Sequence, residues 1–369
     1  MKPGWTTVAL GDVAEVVMGQ APPGSSYNSS GEGLGLIAGA GDFKGGQIVP
    51  SKFTSAPGKI SRVGDIVLSI RASIGAKVVA DDTYCLGRGV AGIRATQAID
   101  TRYLWHVMSW VEPDLRSKGR GATFLQVNRK DVAGLLLPLP PLDEQRRIAA
   151  ILGTSLHSIG CRVRACIWID DFLDNVYNST LSSGDIPRRP IRSLGEVSTG
   201  KTPATSKADY FGGVIPFVAP GDLGGLVSAK RTLTDLGAQE SRLVRAGATM
   251  VCCIGATIGK VGIVAEQSAF NQQINAIEWG PDMDDLYGYF TMRAQSDVVA
   301  ARGSSTTMPI LAKSKFEELL IPVAPFEVQE GFARVASNVS RVRSNLVAAW
   351  EAERQLFASL QSRAFRGEL

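Results

Sequence analysis

The chain has 369 residues, 44% hydrophobic and 20% charged, with a net charge of +4. These are globular values, with length for two or three domains that each bury a core, and the mild basicity permits nucleic-acid binding without demonstrating it. No run of about 18 apolar residues lacks polar interruption, which sets aside a membrane-spanning helix. Met1-Lys2-Pro3-Gly4-Trp5 lacks a signal-type apolar stretch, so a cytoplasmic location is expected.

Residues 1–141 form the first expected domain. They are rich in Gly and β-branched residues, with short strand-like runs such as Ile66-Val67-Leu68-Ser69-Ile70 and Lys77-Val78-Val79-Ala80 between Gly and Ser turns. Residues 142–185 are predicted as a long central helix. Its seam runs through Leu152, Leu156, Ile159, Val163, Cys166, Asp170, Leu173 and Tyr177 in steps of three and four. Residues 186–325 repeat the first domain. Residues 326–369 repeat the helix, with a seam through Phe332, Val335, Val339, Val342, Leu346, Ala349, Glu353, Leu356 and Leu360. Each helix is about 60 Å long at ~1.5 Å per residue. Neither can hold such a stripe in water alone, so the two are expected to pack on each other, antiparallel.

The repeat has a constant offset near half the chain length. Leu136-Leu137-Pro138-Leu139-Pro140-Pro141-Leu142-Asp143-Glu144-Gln145 becomes, 184 residues on, Leu320-Ile321-Pro322-Val323-Ala324-Pro325-Phe326-Glu327-Val328-Gln329. Leu10-Gly11 pairs with Leu194-Gly195, Ser73-Ile74-Gly75 with Thr257-Ile258-Gly259, and Tyr103 and Met108 with Tyr287 and Met292. A solenoid repeats every ~20–50 residues, so this is a duplicated domain, suited to a two-part partner.

Gly195-Glu196-Val197-Ser198-Thr199-Gly200-Lys201-Thr202 fits the phosphate-binding loop pattern, which needs a strand before it and a helix directly after it. Pro203 and a polar loop follow instead, and the matching Gly19-Gln20-Ala21-Pro22 lacks both Lys and Thr. A nucleotide-dependent enzyme using 195–202 therefore stands only as an alternative, as does a coiled-coil scaffold that binds no DNA. The cysteines (Cys85, Cys161, Cys166, Cys252, Cys253) form no CxxC pair, and only His106 and His157 could join them. No metal site is expected, and reduced core thiols are. Both histidines read as packing or surface residues, and no paired-carboxylate or nucleophile constellation is seen.

What remains is polar, basic, Gly-rich loops at matched places in both halves. In the first half the candidates for DNA contact are Arg71, Lys77, Arg88, Arg120, Thr123, Gln126, Asn128, Arg129 and Lys130. In the second they are Lys201, Thr202, Lys260, Asn271, Gln272, Gln273, Arg302, Ser304, Ser305, Thr306 and Lys313. Arg, Lys and hydroxyl side chains reach phosphates, while Arg, Gln and Asn read base edges. Leu86-Gly87-Arg88-Gly89-Val90-Ala91 stands where the second copy has Phe270-Asn271-Gln272-Gln273-Ile274-Asn275. Scaffolds agree while polar loops disagree, as expected of two copies reading different sequences.

With these features the chain resembles the specificity subunit of type I restriction-modification systems over essentially its whole length. The resemblance rests on the Leu-Gly-Asp-Val start, Gly200-Lys201-Thr202-Pro203, the turns around Ile74 and Ile258, the junction at 138–152, present twice with its helix, and the Ala-Phe-Arg-Gly-Glu-Leu ending. It implies an α/β protein with two pseudo-symmetric target-recognition domains joined by two long antiparallel coiled-coil helices, and no catalysis in this chain. It implies double-stranded DNA and two methyltransferase subunits as partners, with two restriction (translocase) subunits in the full enzyme. S-adenosylmethionine and ATP are then expected on those partners, and no cofactor on this chain. The second junction departs from the pattern: Val328-Gln329-Glu330 replaces Glu144-Gln145-Arg146, and Ala324 replaces Pro140.

Overall fold

A computed structural model describes residues 4–121, 124–182, 185–303 and 309–369. The chain divides into two compact units. One comprises residues up to Val163 together with Ala349–Leu369, the other Arg164–Ala348.

In the first unit, Thr6–Ala9 pairs antiparallel with Leu136–Leu139. A four-stranded sheet follows in the order Ala14–Met18, Val90–Ala95, Ile66–Ser69, Lys77–Val79. All four residues of Ile66–Ser69 are buried, because both faces of this strand are covered. Side chains alternate across a strand, and they divide accordingly. Ile66 and Leu68 join a core with Leu104, Val107 and Leu137. Val67 faces Ile37, Leu86 and Val90 in another. That second core lies under a smaller sheet in which Leu34–Ile37 runs parallel to Cys85–Leu86.

The second unit repeats the plan. Arg188–Pro190 pairs with Leu320–Pro322. Gly195–Thr199, Ile274–Trp279, Thr249–Cys252 and Val261–Ile263 follow in the corresponding order, with Gly225–Leu226 added at the edge. Val251 faces one core, and Met250 and Cys252 the other. Phe211–Val218 runs parallel to Ser268–Phe270. The helix after each central sheet starts the same way. Asp100 caps Thr101–Trp110 by accepting from the N–H groups of Arg102 and Tyr103, and Asp284 caps Asp285–Ala294 by accepting from Leu286 and Tyr287.

The long helices are Leu142–Thr180 and Phe326–Arg366, of 39 and 41 residues. Within each unit they run antiparallel. In the first, Arg147 donates to the Leu369 carbonyl at 3.0 Å, and Ser158 further along donates to Glu353 at 2.9 Å. In the second, Arg343 binds Asp170 through two nitrogens at 2.8 and 3.0 Å, while Tyr177 lies edge-on to Phe332, 5.7 Å away.

The predicted seam needs a correction. Leu152 and Leu173 are buried, Val339 and Leu360 pack against the cores, and Ile159 and Leu346 are half-buried. Leu156, Val163, Val335, Val342 and Leu356, however, are exposed. The covered positions between the correct ones lie one residue away, at Ser155 and Arg162 in the first helix and at Ala336, Arg343 and Phe357 in the second. Three of these five are polar. The sequence pattern drew the stripe onto their apolar neighbours, whereas the helices half-bury the polar residues, two of them in ion pairs. Arg162 meets Glu353 at 2.9 Å and Arg343 meets Asp170 at 2.8 Å.

Candidate nucleic-acid interface

Both junctions are fixed by a glutamine at the start of a long helix. Gln145 is 1% exposed and Gln329 0%. The N–H of the capping Asp100 donates to Gln145 Oε1 at 2.8 Å, and Gln145 Nε2 donates to the carbonyls of Ala98 and Pro140 at 3.2 and 2.9 Å. In the second unit, Asp284 N–H donates to Gln329 Oε1 at 2.9 Å, and Gln329 Nε2 to Asp282 and Ala324 at 3.1 and 2.8 Å. The Pro-to-Ala departure at 324 is therefore silent, because only the carbonyl is used. Each glutamine ties the long helix, the strand leading into it and the capped helix together, and so sets the sheet against the rod.

At the other end of each central sheet the candidate residues gather. Gly19 N–H donates to Val90 O at 2.9 Å and Gln20 N–H to Leu86 O at 2.8 Å; Gly200 to Ile274 at 3.1 Å and Lys201 to Phe270 at 3.1 Å repeat this. Gly87 N–H donates to Ile37 O, as Asn271 does to Val218 O. A Cβ on Gly19 would stand 2.1 Å from Gly87 O, and one on Gly200 would stand 2.2 Å from Asn271 O. Glycine stands here because backbones touch. The apparent phosphate loop is this same device: Gly195–Thr199 is a strand paired with Ile274–Trp279, and no helix follows Thr202 directly. Lys201 pairs with Glu240 at 3.4 Å.

In the first unit, Arg71, Arg120 and Gln126 are brought together. Arg120 and Gln126 exchange both backbone hydrogen bonds, at 3.0 and 2.9 Å, and Gln126 also bridges Arg71. The Arg71 guanidinium lies 5.7 Å from the centre of the Phe124 ring. Arg88 is on the adjoining turn, since Ile70 N–H donates to Gly89 O at 3.0 Å. Arg71, Arg88, Arg120 and Gln126 are all exposed. So are Phe124 and Leu125, at 56% and 45%. Sequence reading passed over these two because an apolar pair normally signals core. Asn128 accepts from Lys130 and Asp131 N–H groups as a helix cap, leaving Arg129 and Lys130 exposed on the first turn. Thr123 lies outside the described residues.

In the second unit, Thr202, Asn271, Gln272 and Gln273 form one network. Thr202 Oγ1 donates to Gln272 Oε1 and accepts from Asn271 Nδ2 at 3.2 Å. Asn271 Oδ1 accepts from Gln273 N–H at 2.8 Å, and Gln273 Nε2 reaches Ile254 O at 3.4 Å. Ile254 bridges Ile310 as Arg71 bridges Gln126, so the second unit is neutral where the first is charged. Arg302 is exposed at the end of Ser296–Arg302, and Lys313 pairs with Glu317 at 3.4 Å. Ser304, Ser305 and Thr306 lie outside the described residues.

Two lysines are placed elsewhere. Lys77 donates to Ser109 Oγ at 2.6 Å, with its ammonium 4.6 Å from the Trp105 ring centre. Burial pushes its pKa below the usual lysine range. It belongs to the sheet–helix packing and not to the loop set. Lys260 lines a cavity of about 790 Å³ with Asp170, Arg293 and Arg343. Among the described residues, no helix is long and apolar enough to cross a membrane, and no group of His, Cys, Asp and Glu could hold a metal ion.

A family model described as the type I restriction modification DNA specificity domain matches residues 2–158 and again 185–349. The chain belongs to that family. It carries the specificity domain twice, once in each unit. It is 37% identical over 150 residues to a protein named as the type I restriction enzyme MjaX specificity subunit, from Methanocaldococcus jannaschii, covering 39% of this chain and 35% of that one. It is 30% identical over 166 residues to the MjaIX specificity subunit of the same organism, covering 42% and 38%. The chain thus spans little more than a third of the length of these curated relatives. A crystal structure of the S subunit of a type I restriction-modification system from M. genitalium matches 98% of this chain and 96% of its own, with a TM-score of 0.68 at 12% identity. That likeness bears out the fold, an α/β plan present twice together with two long helices.

Proposed function

We propose that this chain is the specificity subunit of a type I restriction-modification complex and reads a split, asymmetric DNA site, one half with each specificity domain. The observation that carries the reading is the matched turn. The two units hold the same backbone at 86–90 and 270–274 with the same hydrogen bonds, yet present different polar side chains from it. A duplicated active site would keep its chemical groups, whereas a duplicated reader changes them. Arginine and lysine at the loop ends supply phosphate attraction, and arginine and amide side chains supply base contacts. The chain directs partners to the site: two methyltransferase subunits, which carry S-adenosylmethionine, and two ATP-dependent translocating nuclease subunits in the full enzyme. No catalytic group or cofactor is assigned to the chain itself, and the complex works on DNA in a prokaryotic cytoplasm.

Fluorescence anisotropy with labelled duplex DNA tests this on the complex with methyltransferase subunits. Affinity is expected to fall steeply as salt rises, and one bipartite sequence is expected to bind about 10³-fold or more over random duplex. Equal affinity for all sequences would refute the reading, and no binding to any duplex would favour the scaffold. Lys201→Ala is expected to leave nucleotide binding unchanged. A loss measured by calorimetry would revive the phosphate-loop enzyme.

A further inference from the structure

Arg88 and Gln272 leave the backbone at the same place. Val90 N–H donates to Gly87 O at 3.2 Å, and Ile274 N–H to Asn271 O at 3.0 Å, so each residue is the second of a four-residue turn. Each turn is anchored by the same three further contacts: the partner loop on Leu86 or Phe270, the same loop on Val90 or Ile274, and the parallel strand at Ile37 or Val218. The turns are held backbone to backbone, so the side chain at the second position is presented in a fixed direction. Both side chains are exposed.

The residue types bear on what is read. A position devoted to phosphate would keep a cation in both copies, but Gln272 is neutral. Its neighbours are committed elsewhere. Asn271 holds the turn through Gln273 N–H, and Gln273 reaches the Ile254 carbonyl. Gln272 receives the Thr202 hydroxyl on Oε1, which fixes the amide plane and leaves the oxygen a second lone pair. An amide so held matches the N6–H and N7 edge of adenine, and a guanidinium matches O6 and N7 of guanine.

We infer that positions 88 and 272 are paired base-reading positions that split the target chemically, Arg88 taking a guanine in the first half-site and Gln272 an adenine in the second. The inference rests on the DNA-reading function proposed above and names its specificity residues.

The test is selection from a randomised duplex library by the full-length chain in complex with its methyltransferase subunits. Arg88→Gln is expected to change one position of one half-site from guanine to adenine, a preference change of about 10- to 100-fold, with the other half untouched. Gln272→Arg is expected to do the reverse in the other half, and Gln272→Glu to replace that adenine by cytosine, whose N4 amino group a carboxylate accepts. Each variant is expected to unfold at the wild-type temperature, because both side chains are exposed. A uniform loss of affinity on all sequences, or an unchanged motif, would overturn the assignment while leaving the DNA-reading function intact. A wild-type complex that selects no motif would overturn both.

Discussion

The two junction glutamines show how much one side chain fixes. Each satisfies one N–H and two carbonyls in a buried setting, and removing the amide strands all three. Gln329→Ala is expected to destabilise the chain by about 1–3 kcal/mol, read as a lower unfolding midpoint in urea, and Gln145→Ala by a similar amount. No change in midpoint would mean that water replaces the amide without loss. His106 makes a second prediction. Burial, with Lys77 nearby as the smaller cause, lowers its pKa to about 4 from an ordinary value of 6.5. The unfolded chain therefore binds the extra proton first as pH falls, so stability is lost between about pH 6.5 and 4. His106→Phe is expected to flatten that part of a stability–pH curve, and an unchanged slope would assign it to other groups. At this scale the sequence was legible in residue type but not in direction. Asn128 reads as a base contact and caps a helix. Lys77 reads as a phosphate contact and packs on Trp105, because a long stem lets an ammonium turn inward onto an aromatic ring.

Secondary-structure elements were more legible. The heptad rhythm located both long helices, and the strand-like runs at 66–70 and 77–80 contain the strands Ile66–Ser69 and Lys77–Val79. The seam register was half readable. Leu152, Leu173, Val339 and Leu360 stand on covered faces, but Ser155, Arg162 and Arg343 are polar residues on a packed stripe, and apolar counting steps around them. Their cross-helix ion pairs carry a prediction. Asp170→Leu alone leaves Arg343 partly buried without its carboxylate, and is expected to cost roughly 1 kcal/mol for a pair this exposed. Adding Arg343→Leu is expected to restore or raise stability, because an apolar seam replaces both charges. A double mutant less stable than the single one, by calorimetry, would mean that the pair contributes more than its desolvation costs.

For the whole molecule, the repeat with its 184-residue offset (Gln145 to Gln329) was the most informative feature of the sequence. It announced two copies of one fold before any strand was assigned. The sequence could not convey which polar loops converge, since Arg71, Arg120 and Gln126 meet only through hairpin pairing across 49 and 55 residues of chain. On the proposed reading of a split site, the two long helices, each of which runs from one unit into the other, are expected to set the distance between half-sites. Methylated-base sequencing of DNA from cells carrying the chain with its methyltransferase tests this most directly, comparing wild type with a variant that has seven residues added to each long helix, after Val163 and after Ala348. Seven residues keep the seam in phase and add about 10 Å. The expected result is the same two half-sites with a gap about three base pairs longer, at ~3.4 Å per base pair. A single uninterrupted motif, or a gap that stays constant in the lengthened chain, would contradict the account.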